Sequence, residues 1–300
     1  MKYFLSLFLT LISLILSAQM LNPSKKLFSE EPFFNSEIIK ANKIKSMLIE
    51  IQSKADHKPI THHNMWLSYD FDKEGRMIRC YKLFKKSNFQ IDTVLIFFEY
   101  DGLNRLITKR MSDNFGYYSL NYEYDSKGNI VKETYCRETT SGNSFLDIKV
   151  LKQYPIAVET FKTECYTPTQ CKRFTLNNLG NAYKETLIYY DKHGRIIAEE
   201  TSYINTGKRE KRTYNYDEKG RITEITDYSD ISGENTQLIT IDYDLQGRII
   251  KWMVYKNNQL KENAEFLFFN DKPQIISAYI NRKESEKQMD IYKITYTFWE

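Results

Sequence analysis

One motif constrains this chain more than any other feature: Tyr-Asp-x-x-Gly-Arg, repeated along its length. Tyr100-Asp101-Gly102-Leu103-Asn104-Arg105 returns as Tyr124-Asp125-Ser126-Lys127-Gly128-Asn129 and as Tyr190-Asp191-Lys192-His193-Gly194-Arg195. Two more copies run from Tyr216-Asp217 to Gly220-Arg221 and from Tyr243-Asp244 to Gly247-Arg248. Phe71-Asp72 to Gly75-Arg76 opens the series, Leu176-Asn177 to Gly180-Asn181 is a looser copy, and Phe269-Asn270 to Pro273-Gln274 closes it in decayed form. The last four well-aligned copies lie about 26 residues apart, the span of one supersecondary unit.

Each part of the motif has a physical job. An Asp carboxylate accepts backbone N–H bonds from residues just ahead of it, which opens a turn. The Gly three places on supplies a positive φ, and a type I turn followed by a left-handed residue closes a hairpin with a bulge. The turn residues are therefore Asp72 and Gly75, Asp101 and Asn104, Asp125 and Gly128, Asp191 and Gly194, Asp217 and Gly220, and Asp244 and Gly247. Asn104 stands where glycine is usual and tolerates the same backbone. Pro273 cannot, so the last copy must turn differently.

Strand signals flank the turns. Phe98 and Tyr100, Tyr122 and Tyr124, Tyr214 and Tyr216, and Ile241 and Tyr243 are pairs two residues apart, which share one face of a strand. Stacked hairpins then carry a Tyr ladder beside the turns. Asn205–Lys208, Asp230–Asn235 and Asn257–Gln259 close the other end. The expected fold is an all-β antiparallel meander. Val94–Phe98, Leu187–Tyr190 and Phe266–Phe269 are apolar on both faces, so the sheet should curl into a barrel, a half-shell or two layers. Tyr292, Ile294, Tyr296 and Phe298 alternate with polar residues and predict a last half-buried strand. Before Phe71 the reading is a short helix near Glu37–Lys45, capped by Asn35 or Ser36, then strand from about Lys43. From Asp147 to Thr175 no turn motif occurs.

The first residues read as a secretory signal: Lys2, an apolar run from Phe4 to Leu16, then Ser17-Ala18-Gln19 with cleavage after Ala18. The run is shorter than the roughly 20 residues a spanning helix needs, and no later stretch is long and apolar enough to be one. The expected organisation is a signal over 1–18, a lead over 19–42 and one β domain over 43–300, secreted, periplasmic or at the cell surface, with no membrane span once the signal is removed. The net charge of +4 becomes +3 without Lys2 and is not clustered, which excludes a nucleic-acid footprint. Export permits disulfides, and Cys165 and Cys171 flank a five-residue loop as a candidate pair; Cys80 and Cys136 are a weaker one, with small buried hydrophobes as the alternative for both. No Cys-x-x-Cys occurs, so no zinc site is expected.

The Tyr-Asp-x-x-Gly-Arg hairpins resemble the YD repeats, also called Rhs repeats, from about Asn64 to the C-terminus with a gap in the middle. Long members of that family are similar to β-sheet shells coiled around a toxic C-terminal polypeptide, and others are extracellular proteins implicated in ligand or carbohydrate binding. This chain departs from the long members in having too few repeats for a large shell and in repeats that run almost to Glu300. The resemblance implies a β-repeat scaffold rather than a reaction.

The remaining candidates are few. Arg195, Arg221 and Arg248, with Arg76 and Arg105, form a potential basic stripe for an acidic glycan; the alternative is that each pairs with an acidic neighbour or packs on the Tyr ladder. Exposed Tyr and Trp252 are candidates for stacking on sugars, against core packing. Asp101, Asp125, Asp191, Asp217 and Asp244 share one edge, as paired glycosidase carboxylates would, but each already serves its turn. His57, His62 and His63 read as a solvated loop rather than metal ligands, and no phosphate loop or nucleophile elbow is present. The expected function is a non-catalytic exported binding or scaffold module for a cell-envelope glycan or protein, without cofactor or metal. A polysaccharide hydrolase and a partner of a secreted toxin or secretion system are the alternatives. A deep polar cleft holding two facing carboxylates outside the Tyr-Asp turns would favour the hydrolase.

Overall fold

Every motif copy but the last forms the same turn. In the copy at Asp191, Gly194 N donates to Asp191 O at 3.0 Å and Asp191 N to Arg195 O at 2.9 Å, with Gly194 at φ +77°. Asn104 takes up φ +63° in its copy. The looser copy at Asn177 closes identically, Gly180 N donating to Asn177 O at 2.9 Å. The Pro273 copy differs, with Phe269 N donating to Ile275 O at 3.1 Å.

The computed structural model describes residues 19–85, 91–113, 116–144, 147–231, 233–282 and 288–300; the signal read over 1–18 lies outside them. A short helix, α1 (Ser36–Ala41), is capped by Asn35, whose side chain accepts from Glu37 N. The strands follow as β1 (Ile44–Ala55), β2 (Thr61–Phe71), β3 (Met77–Lys85), β4 (Ile91–Tyr100), β5 (Leu106–Asp113) and β6 (Gly116–Tyr124). Next come β7 (Ile130–Ser144), β8 (Asp147–Thr167), β9 (Gln170–Leu176), β10 (Ala182–Tyr190), β11 (Ile196–Tyr203) and β12 (Arg209–Tyr216). The last are β13 (Ile222–Ser229), β14 (Asn235–Tyr243), β15 (Ile249–Lys256), β16 (Gln259–Phe268), β17 (Ile276–Arg282) and β18 (Gln288–Phe298). Each pairs antiparallel with its neighbours in the chain, and β18 returns to pair with β1, Ile294 opposite Ile49. The meander is therefore a closed 18-stranded barrel with no free edge. Among the three curled forms expected from the apolar strands, closure is the one adopted. The chain has too few repeats for a large shell, but enough strands for this smaller one.

The turn also sets which residues face inward. Tyr216 pairs with Ile222, Tyr243 with Ile249 and Phe71 with Met77, and a bulge follows each time. The first residue after Gly-Arg thus points into the lumen, and the next is bulged outward. Ile249 is 4% exposed and its neighbour Ile250 38%.

The lead does not merely precede the barrel; it fills part of it. Leu21 bridges to Phe34, Asn22 N donates to Phe33 O at 2.7 Å, and Asn35 N donates to Met20 O at 2.9 Å. The loop between them enters the lumen. Phe33 is fully buried edge-on to Tyr69 at 5.5 Å, and Phe28 stacks on Tyr279 at 4.8 Å. The largest core joins this lead to the inner faces of β1–β4 and β13–β18. Lys82 and Lys109 on β3 and β5 hold Glu30 and Glu31 of the loop. Then α1 crosses the first motif turn, close enough that a Cβ on Gly75 would stand 2.1 Å from Ser36 O.

Candidate binding surfaces

The motif end of the barrel is a rim of paired groups, with Arg221 Nη1 the one rim nitrogen that is buried without a hydrogen-bond partner among the described residues. Asp191 Oδ1 accepts from His193 N at 2.8 Å and Arg195 N at 2.9 Å, and its Oδ2 accepts from Arg195 Nε at 2.7 Å. Asp101, Asp217 and Asp244 repeat the pattern with Arg105, Arg221 and Arg248, and Asp125 does so with Asn129. Each guanidinium then lies over the ring of the following unit: Arg195 over Tyr216 at 4.5 Å, Arg221 over Tyr243 at 4.4 Å and Arg248 over Phe268 at 4.4 Å. The tyrosine hydroxyl donates back to a carbonyl of the preceding unit, Tyr216 to Ile196 O at 2.6 Å and Tyr243 to Ile222 O at 2.5 Å. Carboxylate, guanidinium and ring thus stitch each turn to the next. The three arginines singled out as ligand-binding candidates are all engaged in this way.

The electrostatics follow from those contacts. Partial desolvation pushes the Asp191 carboxyl up, but the Arg195 and His193 N–H groups and the Arg195 charge outweigh it and hold the group at about 2. Asp101 is lowered chiefly by the Arg105 backbone N–H. Carboxylates held ionised cannot serve as the protonated acid of a glycosidase.

A different carboxylate pair faces the lumen. Glu133 on β7 lies directly opposite Glu159 on β8. Burial, and then the Glu159 charge, push the Glu133 carboxyl up, while Glu159 accepts from the Tyr183 hydroxyl. The sequence reading did not single out this pair, because neither residue lies in the motif. The histidines do not converge: His57 sits in a turn at φ +58°, whereas His62 and His63 are adjacent on β2 and so point to opposite faces, His63 Nε2 pairing with Ser53 Oγ at 2.7 Å. The reading of a loop there is corrected; the strand runs back to Thr61, carried by the pairing of Ser53 with Thr61.

The sulfurs divide. Cys165 and Cys171 stand opposite each other in the β8–β9 ladder and are joined by a disulfide. Cys80 and Cys136 are free and buried, and burial pushes the Cys80 thiol up to about 12.

The outer face is charged. Outward positions on consecutive strands pair as Lys211 with Glu200 at 2.8 Å and Lys172 with Glu185 at 2.5 Å. The stacked pair of Trp66 and Tyr81, with ring centroids 4.7 Å apart, is an outward aromatic patch on β2 and β3.

A cleft of about 310 Å³ lies in the lumen between the lead loop and the inner faces of β12–β17. Trp252, Ala264 and Asn281 lie in register across β15, β16 and β17 and line one wall, with Ala264 the small member between the ring and the carboxamide. The Arg212 fork binds Asp227 at 2.6 and 2.8 Å beside it. Lys25 and Lys26 of the lead, and Lys256 and Glu262 of the wall, are exposed. The sequence offers Trp252 as a sugar-stacking candidate against core packing, and the structure buries it in the core cluster at the edge of this cleft. The contribution of the lead was not foreseen, although Leu27-Phe28 and Phe33-Phe34 are apolar pairs that a solvated linker would lack.

No protein-family model matches the chain, and no curated protein matches it. Solved structures do. The chain is similar to a porin-like protein from Bacteroides uniformis ATCC 8492, at 11% identity over 85% of this chain and 97% of that one, with a TM-score of 0.39. A porin-like protein from Bacteroides vulgatus ATCC 8482 is similar at 9% identity over 83% and 97%, with a TM-score of 0.34. A TcdB2-TccC3 structure is similar at 11% identity over 79% of this chain and 16% of that one, with a TM-score of 0.26.

Proposed function

We propose that this is an exported, non-catalytic binding or scaffold module of the cell envelope, a short barrel of the YD-repeat type whose partner is a carbohydrate or another protein. The observation that carries this reading is the pairing of each rim carboxylate with its own turn. The repeated carboxylates, guanidiniums and rings hold one another, so the motif builds a frame in which these carboxylates are already engaged by their own turns. The signal-like N-terminus supports export, as does a disulfide, which persists in oxidising compartments.

The outer face supports a solvated barrel rather than a membrane-spanning one. A spanning barrel carries an apolar outer band roughly 25 Å tall, and each Lys at its midplane costs about 2–4 kcal/mol. Here Lys172, Glu185, Glu200, Lys211 and Lys251 occupy outward positions, so the charges recur around the barrel.

Pull-down of the mature protein from its own cell envelope, run beside a glycan array, tests the proposal. Capture of a specific glycan or envelope protein is expected; binding to neither would overturn it. A second reading, a polysaccharide hydrolase, is favoured by the facing pair Glu133 and Glu159. Turnover of a polysaccharide panel, abolished by Glu133→Gln, would replace the first reading with this one.

A further inference from the structure

We infer that the luminal cleft binds a short acidic carbohydrate, a sugar of the uronate type, with its hydroxyls on Asn281 and its carboxylate at the lysines of the mouth. This rests on the binding-module reading and names its ligand class.

Three observations converge. First, Asn281 is 6% exposed, and its Oδ1 has no hydrogen-bond partner among the described residues. A buried acceptor without a donor is costly; the oxygen itself is closed off, but Asn281 lines the cleft, and a half-turn of its carboxamide would bring the oxygen to where a donor can reach it. A carboxylate cannot supply that donor, but a hydroxyl can. Second, the wall is built for a ring with an apolar face. Trp252 and Asn281 are separated across the ladder by Ala264, so a small side chain leaves space where a larger one would fill it. The volume of about 310 Å³ is at the lower end of small-molecule sites, the scale of one or two sugar rings. Third, the mouth is cationic. Lys25, Lys26 and Lys256 outnumber Glu262, while Arg212 is already held by Asp227. The cleft therefore wants a hydroxyl inside, a flat apolar face beside it and a negative charge outside.

The test is titration calorimetry of the mature chain with di- and trigalacturonate, beside the matching neutral galactose oligomers. Acidic oligomers should bind, neutral ones at least about tenfold more weakly, and the difference should shrink as salt screens the lysines. Ala264→Leu, which fills the cleft, should abolish binding without loss of thermal stability. Asn281→Leu, which removes the orphan acceptor at similar volume, should weaken binding about tenfold or more while the melting temperature holds or rises. Equal binding of neutral and acidic oligomers, or undiminished binding by stably folded Ala264→Leu, would overturn the inference. Silence from every galacturonate, with a glycan or protein still captured from the envelope, overturns this inference alone; silence in both experiments overturns the binding-module reading with it.

Discussion

The barrel has two unlike arcs. From β13 through β18 and on to β4, inward positions carry Ile225, Ile239, Trp252, Phe266, Ile294, Ile49, Tyr69 and Ile96, and these pack with the lead into one core. From β7 to β11 the inward positions carry Glu133, Glu159, Arg173, Lys184, Thr186 and Thr201, and among the described residues none of these strands joins that core. Both arcs contain motif turns, at Asp125 and Asp191 in the second as at Asp217 and Asp244 in the first. The motif therefore closes hairpins without deciding what their inner faces hold. That decision belongs to the alternating residues, and it places the lead against one side only.

The largest expected effect tests that asymmetry. Phe33→Ala removes a fully buried ring of the lead core and should cost about 3–5 kcal/mol in denaturant unfolding. Phe161→Ala, half-buried on the other arc, should cost under about 2 kcal/mol. Equal costs would erase the distinction between the arcs.

Two glycines sharpen it. Gly75 and Gly194 share φ +77°, so alanine at either incurs about 1–2 kcal/mol of left-handed strain. Only at Gly75 does the added Cβ also meet backbone, Ser36 O of α1. Gly75→Ala should lower the melting temperature at least twice as far as Gly194→Ala; matching shifts would mean that α1 moves aside freely.

Replacing Cys165 and Cys171 together by serine should cost about 2 kcal/mol at most, because the closed loop is short and the β8–β9 ladder already holds its ends. Urea midpoints check this, and a loss comparable to that of Phe33→Ala would show that the second arc depends on its bridge.

The smallest effect is a titration. Asp191 is held at about 2 when folded, below the roughly 3.9 of a free carboxyl. The stability it contributes is therefore present above about pH 4 and is lost as pH falls through about 2. NMR titration should place its midpoint there, and Asp191→Asn should flatten the acid limb of the stability curve. A midpoint near 4 would mean that the rim hydrogen bonds are not formed in solution.

Much of the fold was legible because its signals are local. Asp191, Gly194 and Arg195 span five positions, and every bond that shapes their turn lies within those five. The site was less legible. Trp252 was recognised as a candidate by residue type alone, but Asn281 sits in Ile280-Asn281-Arg282 with nothing around it to mark a buried acceptor. Glu133 and Glu159 face each other only because the long β7–β8 ladder aligns them, in the stretch where the repeat lapses.

By itself the sequence determined the hairpins, the outward bulge after each turn and the strand that ends the chain, since these are set by φ preferences and hydrogen bonds between near neighbours. Tertiary structure alone decided that the sheet closes, that the lead enters it and that a cleft remains. Those outcomes depend on contacts such as Ile49 with Ile294 and Phe28 with Tyr279, whose partners lie too far apart in the chain to leave a local signal.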